Sequence, residues 1–213
     1  MKRIVVLISG SGSNLQAIID ATESNQIPGQ VVAVISNKAD AYGLTRAKQH
    51  NIAHQVIDHK AFPDRESFDA KLQEVIDAFN PDVVVLAGFM RILTQQFVEH
   101  FTGKLINIHP SLLPKFKGLD THQRALDAKE SYHGASVHFV TPELDGGPVI
   151  VQGPVAILAE DNVDSLKAKV HKIEHQIYPY AVKLICEDKI TMTAEGVHYQ
   201  QQQLPETGLV HEV

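Results

Sequence analysis

The sequence lacks several features that would place it in a specialised class of protein. It has a single cysteine, Cys186, so no disulfide can form within the chain, and a cytoplasmic location is predicted. Its longest apolar runs, such as residues 83–87, are far too short to cross a bilayer. The apolar run that follows Met1 is also too short for a secretory signal. We therefore expect a protein that neither crosses a membrane nor depends on disulfides.

The sequence also has fewer basic residues than acidic ones. The chain carries 19 Lys and Arg residues against 25 Asp and Glu residues, a formal net charge of −6. It therefore lacks the basic field with which proteins usually bind nucleic acids or anionic membranes. With 44% hydrophobic and 21% charged residues, the composition excludes a disordered or collagen-like chain. The length of 213 residues suits one domain with a full core.

Histidine is the one residue type in excess, with twelve copies. Either several of them bind a metal ion, or one is catalytic and the others lie on the surface. His171, Glu174 and His175 match the H-x-x-E-H pattern of some zinc proteases, and two histidines four residues apart share one helix face. No third ligand is evident, so a solvated or substrate-facing helix is favoured and no metal is predicted.

Apolar runs alternate with amphipathic segments through the first half of the chain. Strands are predicted at 4–8, 31–35, 55–57, 83–87 and 105–109, with helices between them. This order predicts an α/β, Rossmann-like, doubly wound and mainly parallel sheet with helices on both faces. Strands at 135–140 and 149–157, a helix at 163–186 and a hairpin at 189–200 predict an antiparallel C-terminal extension, and the last dozen residues are expected to fray. We expect a single domain over 1–213, with halves at 1–110 and 111–190 and a tail at 191–213.

The loop at residues 10–14 connects the first strand to the first helix. Backbone N–H groups and the helix dipole at such a point favour an anion, especially a phosphate. A dinucleotide site would have glycine where Leu15 stands and an acidic residue after the second strand, which reads Ser36-Asn37-Lys38 instead. Ser13 and Gln16 have the spacing of a capping box. The loop therefore fits a monophosphate better than a dinucleotide, with a simple tight turn as the alternative.

Asn107 and His109 end the fifth predicted strand on the same face, because side chains alternate along a strand. An amide donor beside an ionisable imidazole can stabilise an oxyanion and move a proton. Asp145, which precedes two glycines, could orient His109 or favour its charged form. The alternatives are a hydrogen-bonded pair at a strand end and an ordinary Asp-Gly turn.

Four sequence blocks together resemble a known family. The segment INIHPSLLPKFKG at 106–118 and the segment GASVHFVTPELDGGPVI at 134–150 are similar to the hallmarks of the folate-dependent formyltransferases. The blocks VVLISGSGSNLQAII at 5–19 and PDVVVLAGFMRIL at 81–93 narrow the resemblance to the branch that formylates glycinamide ribonucleotide. The similarity runs from residue 3 to about residue 190.

This resemblance implies a metal-free enzyme of purine synthesis. It would transfer the formyl group of 10-formyltetrahydrofolate, a co-substrate, to the amine of glycinamide ribonucleotide. Asn107, His109 and Asp145 correspond to the catalytic residues. The ribonucleotide would be bound by Gly12, Ser13, Asn14, Leu15 and Glu174. The folate would lie in a cleft formed by Leu86, Met90, Arg91, Ile92, Leu93, Phe97 and Val140, with Arg65 near its glutamate tail.

Other functions fit these residues less well. Methionyl-tRNA formyltransferase has a further C-terminal domain and a basic surface, and neither is expected here. Formyltetrahydrofolate deformylase has an N-terminal regulatory domain, for which a first strand starting at Arg3 leaves no room. A nucleotide-binding oxidoreductase is disfavoured by the glycine pattern, and a phosphate sensor would not use Asn107, His109 and Asp145 together. The sequence predicts no nucleic-acid or membrane partner and leaves a homodimer open.

Overall fold

The computed structural model describes residues 1–211, and an eight-stranded sheet forms its centre. The strand order is β11-β7-β6-β5-β4-β1-β2-β3. The bounds are β1 Lys2–Ile8, β2 Gly29–Ser36, β3 Ala53–Val56, β4 Val83–Leu86, β5 Leu105–His109, β6 Tyr132–Phe139, β7 Val149–Ala156 and β11 Leu209–Val210. A second sheet holds β8 Ile190–Thr193, β9 Gly196–Tyr199 and β10 Gln202–Gln203.

The pairing directions confirm the predicted fold class. Strands β3, β2, β1, β4 and β5 are parallel, whereas β6 is antiparallel to β5 and β7 is antiparallel to β6. The chain moves outward from β1 in one direction to β2 and in the other to β4. Ligands of doubly wound sheets bind outside the carboxyl ends of the strands at such a reversal. The segments after β1, β4 and β5 therefore meet at the edge where a ligand is expected.

Six helices cover the two faces of the sheet within the described residues. They are α1 Ser13–Glu23, α2 Tyr42–Gln49, α3 Arg65–Asp77, α4 Gln95–His100, α5 Thr121–Asp127 and α6 Val163–Cys186. One apolar cluster joins α1 and α6 to the sheet, and a second joins α3 and α4 to the opposite face. The β1 side chains alternate between the two clusters, because successive residues of a strand point to opposite faces. No helix of residues 1–211 has the length and apolar character needed to span a membrane.

Helix α6 is tied to the sheet directly below the expected ligand edge. The hydroxyl of the fully buried Tyr178 lies 2.8 Å from the carbonyl oxygen of Leu86 and 3.2 Å from that of Ile106. These carbonyls lie at the end of β4 and in β5, one residue before Asn107. Burial raises the pKa of Tyr178 well above its usual value, so the hydroxyl stays protonated and can donate. The contact fixes the backbone that carries Asn107.

Two local predictions were wrong. Ser13 does not cap α1: the residue before the helix is Gly12, with φ of 70°, and no side chain bonds to the helix start. The chain end is not frayed throughout, because β10 pairs with β9 and β11 pairs with β7 through Leu209 and Val151. Short edge strands of this kind lack a strong periodic signal in sequence. The predicted fraying of residues 212–213 lies outside the described residues.

Candidate active site

The anion loop, residues 10–14, follows β1 and ends in the first turn of α1. The first backbone hydrogen bond here runs from Gln16 N–H to the Gly12 carbonyl at 2.9 Å. The N–H groups of Ser13, Asn14 and Leu15 therefore precede the helical ladder, and no side chain caps them. Free N–H groups at the positive end of a helix dipole form an anion site. The failed capping prediction thus strengthens the predicted phosphate site.

Gly12 is needed at this position for two reasons. Its φ of 70° lies in the left-handed region, which side chains other than glycine rarely adopt. A Cβ atom at Gly12 would also lie 2.7 Å from the Cα of Gly43, the second residue of α2. The loop can therefore pack against α2 only with glycine at residue 12.

A buried polar pair lies beside the anion loop. The Asn14 amide donates to the Glu174 carboxylate at 3.1 Å, and both residues are buried. Burial raises the pKa of Glu174, although the Asn14 hydrogen bond acts in the opposite direction. The Asn14 side-chain oxygen is buried without a partner in the described chain. This pair therefore presents acceptors to the hydroxyl or amine hydrogens of a ligand held by the loop.

The structure brings Asn107, His109 and Asp145 together, as predicted for the catalytic residues. Asn107 and His109 lie on one face of β5, and Ile108 points into the core. The His109 Nδ1 atom lies 3.4 Å from Asp145 Oδ2, and both side chains are less than a tenth exposed. Asp145 also accepts from the Gly118 N–H group at 3.0 Å, which fixes the carboxylate. His109 and Asp145 are thus buried together at the carboxyl end of β5, and Asn107 lies half-buried on the same face.

Each nitrogen of the His109 ring faces an oxygen that can only accept a hydrogen bond. Nδ1 faces the Asp145 carboxylate, and Nε2 lies 2.9 Å from the carbonyl oxygen of Phe116. The doubly protonated imidazolium is the form that donates to both oxygens. The His109 ring is therefore held between two hydrogen-bond acceptors, one facing each nitrogen.

His138 also belongs to this cluster, although no sequence motif assigned it a catalytic role. It lies opposite Asn107 in the antiparallel β5–β6 pairing, and the Asn107 Nδ2 atom is 3.4 Å from His138 Nε2. Burial lowers the pKa of His138 to about 4, so the ring is neutral near pH 7. Its Nδ1–H donates to the Phe139 carbonyl at 2.9 Å, which leaves Nε2 to accept from Asn107. Although Asp145 lies 4.0 Å from Nε2, this contact is not an ion pair, because the ring is uncharged.

The predicted folate residues divide into buried and exposed groups. Leu86 and Phe97 are buried in the second apolar cluster, and Leu93 and Val140 pack against it. Met90 and Ile92 are more than 60% exposed at the carboxyl end of β4. The surface there thus has an apolar floor and exposed apolar side chains beside the ligand edge.

Two arginines that were predicted to contact folate lie beside this surface. Arg91 lies with its guanidinium 5.6 Å from the ring centre of Phe68, and its buried Nε has no partner in the described chain. Arg65 is exposed at the start of α3, and both arginines act on the carboxylate of Asp69. Burial raises the pKa of Asp69, although the hydrogen bonds from Thr94 and both arginines act in the opposite direction. Cations beside an apolar surface suit a flat ligand with an acidic tail.

The H-x-x-E-H segment has a geometry that differs from the zinc pattern. The rings of His171 and His175 lie 5.2 Å apart, and Glu174 Oε2, which accepts from Asn14, lies 3.7 Å from His171 Nε2. In residues 1–211 no group of three or more His, Cys, Asp or Glu side chains is arranged to hold a metal ion. Cys186 is buried as predicted, and burial raises its pKa to about 12.

Comparison with known proteins agrees with this arrangement. Residues 2–182 match the family described as formyl transferase. The chain is 54% identical over 205 residues to phosphoribosylglycinamide formyltransferase of Escherichia coli K12, which covers 96% of this chain and 97% of that protein. It is 45% identical to the enzyme of the same name from Haemophilus influenzae, over the full length of both.

A solved structure of the same kind shares the fold. The phosphoribosylglycinamide formyltransferase of Coxiella burnetii, in complex with CHES, superimposes with a TM-score of 0.95 at 47% identity, and the match covers 98% of each chain. The family match spans the anion loop, the Asn107–His109–Asp145 cluster and Glu174. By sequence and by structure, the chain belongs to the formyl transferase family.

Proposed function

We propose that the protein transfers the formyl group of 10-formyltetrahydrofolate to the amine of glycinamide ribonucleotide, a step of purine biosynthesis. The observation that carries this proposal is the position of two sites at one edge of the sheet. An uncapped anion loop suits the substrate phosphate, and the Asn107–His109–Asp145 cluster suits acyl transfer. The names of the full-length relatives support the same activity.

The ribonucleotide would bind along α1 and α6. Its phosphate accepts from the N–H groups of Gly12, Ser13, Asn14 and Leu15. The Glu174 carboxylate and the free Asn14 oxygen accept from the ribose or glycinamide portion. The amine is then directed toward the end of β5.

The formyl folate would bind along the surface formed by residues 86–97 and Val140. The exposed apolar side chains of Met90 and Ile92 suit the flat heteroaromatic ring, and Arg65 and Arg91 suit the glutamate tail. This co-substrate supplies a formyl group whose carbon is open to attack by an amine. A formyl folate bound in this way would have its formyl carbon near the side chains of β5.

The chemical step is a transfer between two nitrogens. The amine nitrogen bonds to the formyl carbon, and the formyl oxygen becomes an oxyanion. The Asn107 amide and the His109 Nε2–H donate to this oxygen, and Asp145 stabilises the charged ring. The bond from the formyl carbon to the folate nitrogen then breaks. The proton lost by the attacking amine moves to that nitrogen, through His109 or through water.

In the structure, the Phe116 carbonyl occupies the hydrogen-bonding position at His109 Nε2 that the mechanism assigns to the oxyanion. In the proposed mechanism the oxyanion replaces it as the partner of His109 Nε2. The segment around Phe116 would therefore move when both substrates bind. The Gly118 contact with Asp145 links the same segment to the carboxylate that orients His109.

We further propose that the halves 1–110 and 111–190 both contribute to one cleft. The first supplies the anion loop and Asn107, and the second supplies Asp145 and Glu174. A cytoplasmic location stays a prediction, and a homodimer stays open.

The acceptor requirement tests the proposed function. The purified protein is mixed with 10-formyltetrahydrofolate alone, with added glycinamide ribonucleotide, or with charged initiator tRNA, and consumption of the formyl folate is followed. We expect consumption only with the ribonucleotide, together with one formylated ribonucleotide for each formyl group lost. Equal consumption without an acceptor would identify a hydrolase, and consumption dependent on tRNA would also contradict the proposal.

A further inference from the structure

Arg46 lies on α2, behind the anion loop. Its Nε–H donates to the carbonyl oxygen of Ser11 at 2.9 Å, and Nη1 donates to the side-chain oxygen of Gln16 at 3.2 Å. Its guanidinium lies 4.9 Å from the ring centre of Tyr42. These three contacts hold a charged side chain against the outer surface of the loop.

Helix α2 donates a second hydrogen bond to a carbonyl of the anion loop. The Gly43 N–H group donates to the Gly10 carbonyl at 3.0 Å, so α2 binds two successive carbonyls of the anion loop. In a planar trans peptide, the carbonyl of one residue points opposite to the N–H of the next. A Ser11 carbonyl that points toward Arg46 therefore directs the Gly12 N–H group away from α2. Together these bonds orient the loop so that donors rather than acceptors face an anion.

The charge of Arg46 is not neutralised by an acidic neighbour. Among residues 1–211, no carboxylate forms a salt bridge with it, and its bonded partners are a carbonyl and an amide oxygen. The positive charge also reaches α6, where it contributes, after burial and His171, to lowering the pKa of His175. His175 adjoins Glu174, so this field extends over the proposed nucleotide site.

We propose that Arg46 is a positioning residue that makes this site selective for a phosphorylated acceptor. It orients the Ser11–Gly12 peptide and adds positive potential behind the loop. The inference rests on the proposed function, because it assigns the loop to the phosphate of the acceptor. No other cation on α2 shares this role, since Lys48 is exposed and makes no bond to the loop.

Two substitutions separate orientation from charge. Arg46→Met removes both, whereas Arg46→Lys keeps the charge but lacks the planar donor set that binds Ser11 and Gln16 together. Lys48→Met is the matched control, because it removes one positive charge from the same helix. Steady-state KM and kcat are measured for both substrates, and the Kd of ribose 5-phosphate is measured by calorimetry. Thermal unfolding of each variant reports on folding.

For Arg46→Met we expect the KM of glycinamide ribonucleotide and the Kd of ribose 5-phosphate to rise in parallel, by about tenfold or more, as for the loss of a charge-assisted contact. The kcat and the KM of formyl folate should stay within about twofold, since neither depends on phosphate binding. For Arg46→Lys, both constants should lie between those of Arg46→Met and those of the unaltered protein. Lys48→Met should change neither constant by more than about twofold.

An unchanged Kd for ribose 5-phosphate in a folded Arg46→Met variant would overturn the inference. Equal rises in both KM values, or a fall in kcat with no change in the Kd, would indicate a general structural role and would overturn it as well. Failure of the proposed function is a separate result. In that case the unaltered protein would not formylate the ribonucleotide, while the calorimetric comparison would still test Arg46.

Discussion

The anion loop and the catalytic cluster lie at the same edge of the sheet but are built from different parts of the chain. The loop uses backbone N–H groups that no side chain caps. The cluster uses buried and half-buried side chains, and both nitrogens of the His109 ring face an acceptor. Binding groups are thus left free for a ligand, whereas catalytic groups are held in place in advance. Changes in the loop should therefore alter substrate binding, and changes in the cluster should alter the chemical step.

The largest effect is expected for Asn107→Ala. Loss of one oxyanion donor typically lowers kcat by about a hundredfold to a thousandfold. The KM of the ribonucleotide should change little, because the loop is untouched. Gln55→Ala, which removes an amide from the exposed strand β3, is the control and should keep normal turnover. Near-normal kcat in Asn107→Ala would remove this residue from the mechanism.

A smaller loss is expected for Asp145→Asn. The amide keeps the size of the carboxylate but no longer stabilises a charged His109 ring. Loss of a charge-assisted hydrogen bond should lower kcat by roughly tenfold to a hundredfold, again with little change in the ribonucleotide KM. Asp120→Asn, in the exposed residue before α5, serves as the control. A selective rise in KM would place Asp145 in binding rather than in catalysis.

Gly12→Ala tests the role of the anion loop in substrate binding. The new Cβ would meet Gly43 at 2.7 Å, and φ of 70° would be strained for alanine. We expect the ribonucleotide KM to rise about tenfold or more and the free energy of unfolding to fall by about 1–3 kcal/mol. Gly10→Ala is the matched control, because its Cβ would have no neighbour within 4 Å. If the two variants gave equal KM values, the loop geometry described above would not govern binding.

A further prediction concerns the dependence of stability on pH. Burial lowers the pKa values of His133 and His138 to about 4. Between the unfolded value near 6.5 and about 4, the unfolded chain binds protons that the folded chain does not. The free energy of unfolding should therefore be highest above pH 6.5 with respect to these two rings. It should decline as the pH falls below that value, by up to about 1.4 kcal/mol per pH unit for each ring.

Urea unfolding at several pH values measures this decline. In His138→Gln, or in His133→Gln if the first variant does not fold, the slope should be less steep than in the unaltered protein. His54→Gln changes an exposed ring on β3 and should leave the slope unaltered. An unaltered slope in both buried variants would show that these rings do not govern the acid sensitivity.

The sequence predicted the features that depend on local patterns. The alternation of strands and helices predicted the parallel sheet, and the position of residues 10–14 after β1 predicted an anion site. The capping box was wrong because Ser13 lies inside the helix, after a left-handed Gly12 that no propensity rule anticipates. The assignment of the individual site residues stays a prediction.

Features that depend on distant pairing were not predictable. The contact between Asn107 and His138 follows from the β5–β6 register, which is set by packing rather than by either segment alone. The bond from Arg46 to Ser11 likewise joins helix α2 to the loop that follows β1. The alternation along β5 does predict that Asn107 and His109 share a face, which is why these two could be named from the sequence.

One pair of measurements on His109→Ala tests the central claim most directly. The single-turnover rate of formyl transfer is measured with both substrates saturating, and the Kd of glycinamide ribonucleotide is measured on the same sample. We expect the rate to fall by at least about a hundredfold while the Kd stays within about threefold of that of the unaltered protein. A near-normal rate, or a loss explained entirely by weaker ribonucleotide binding, would contradict the account.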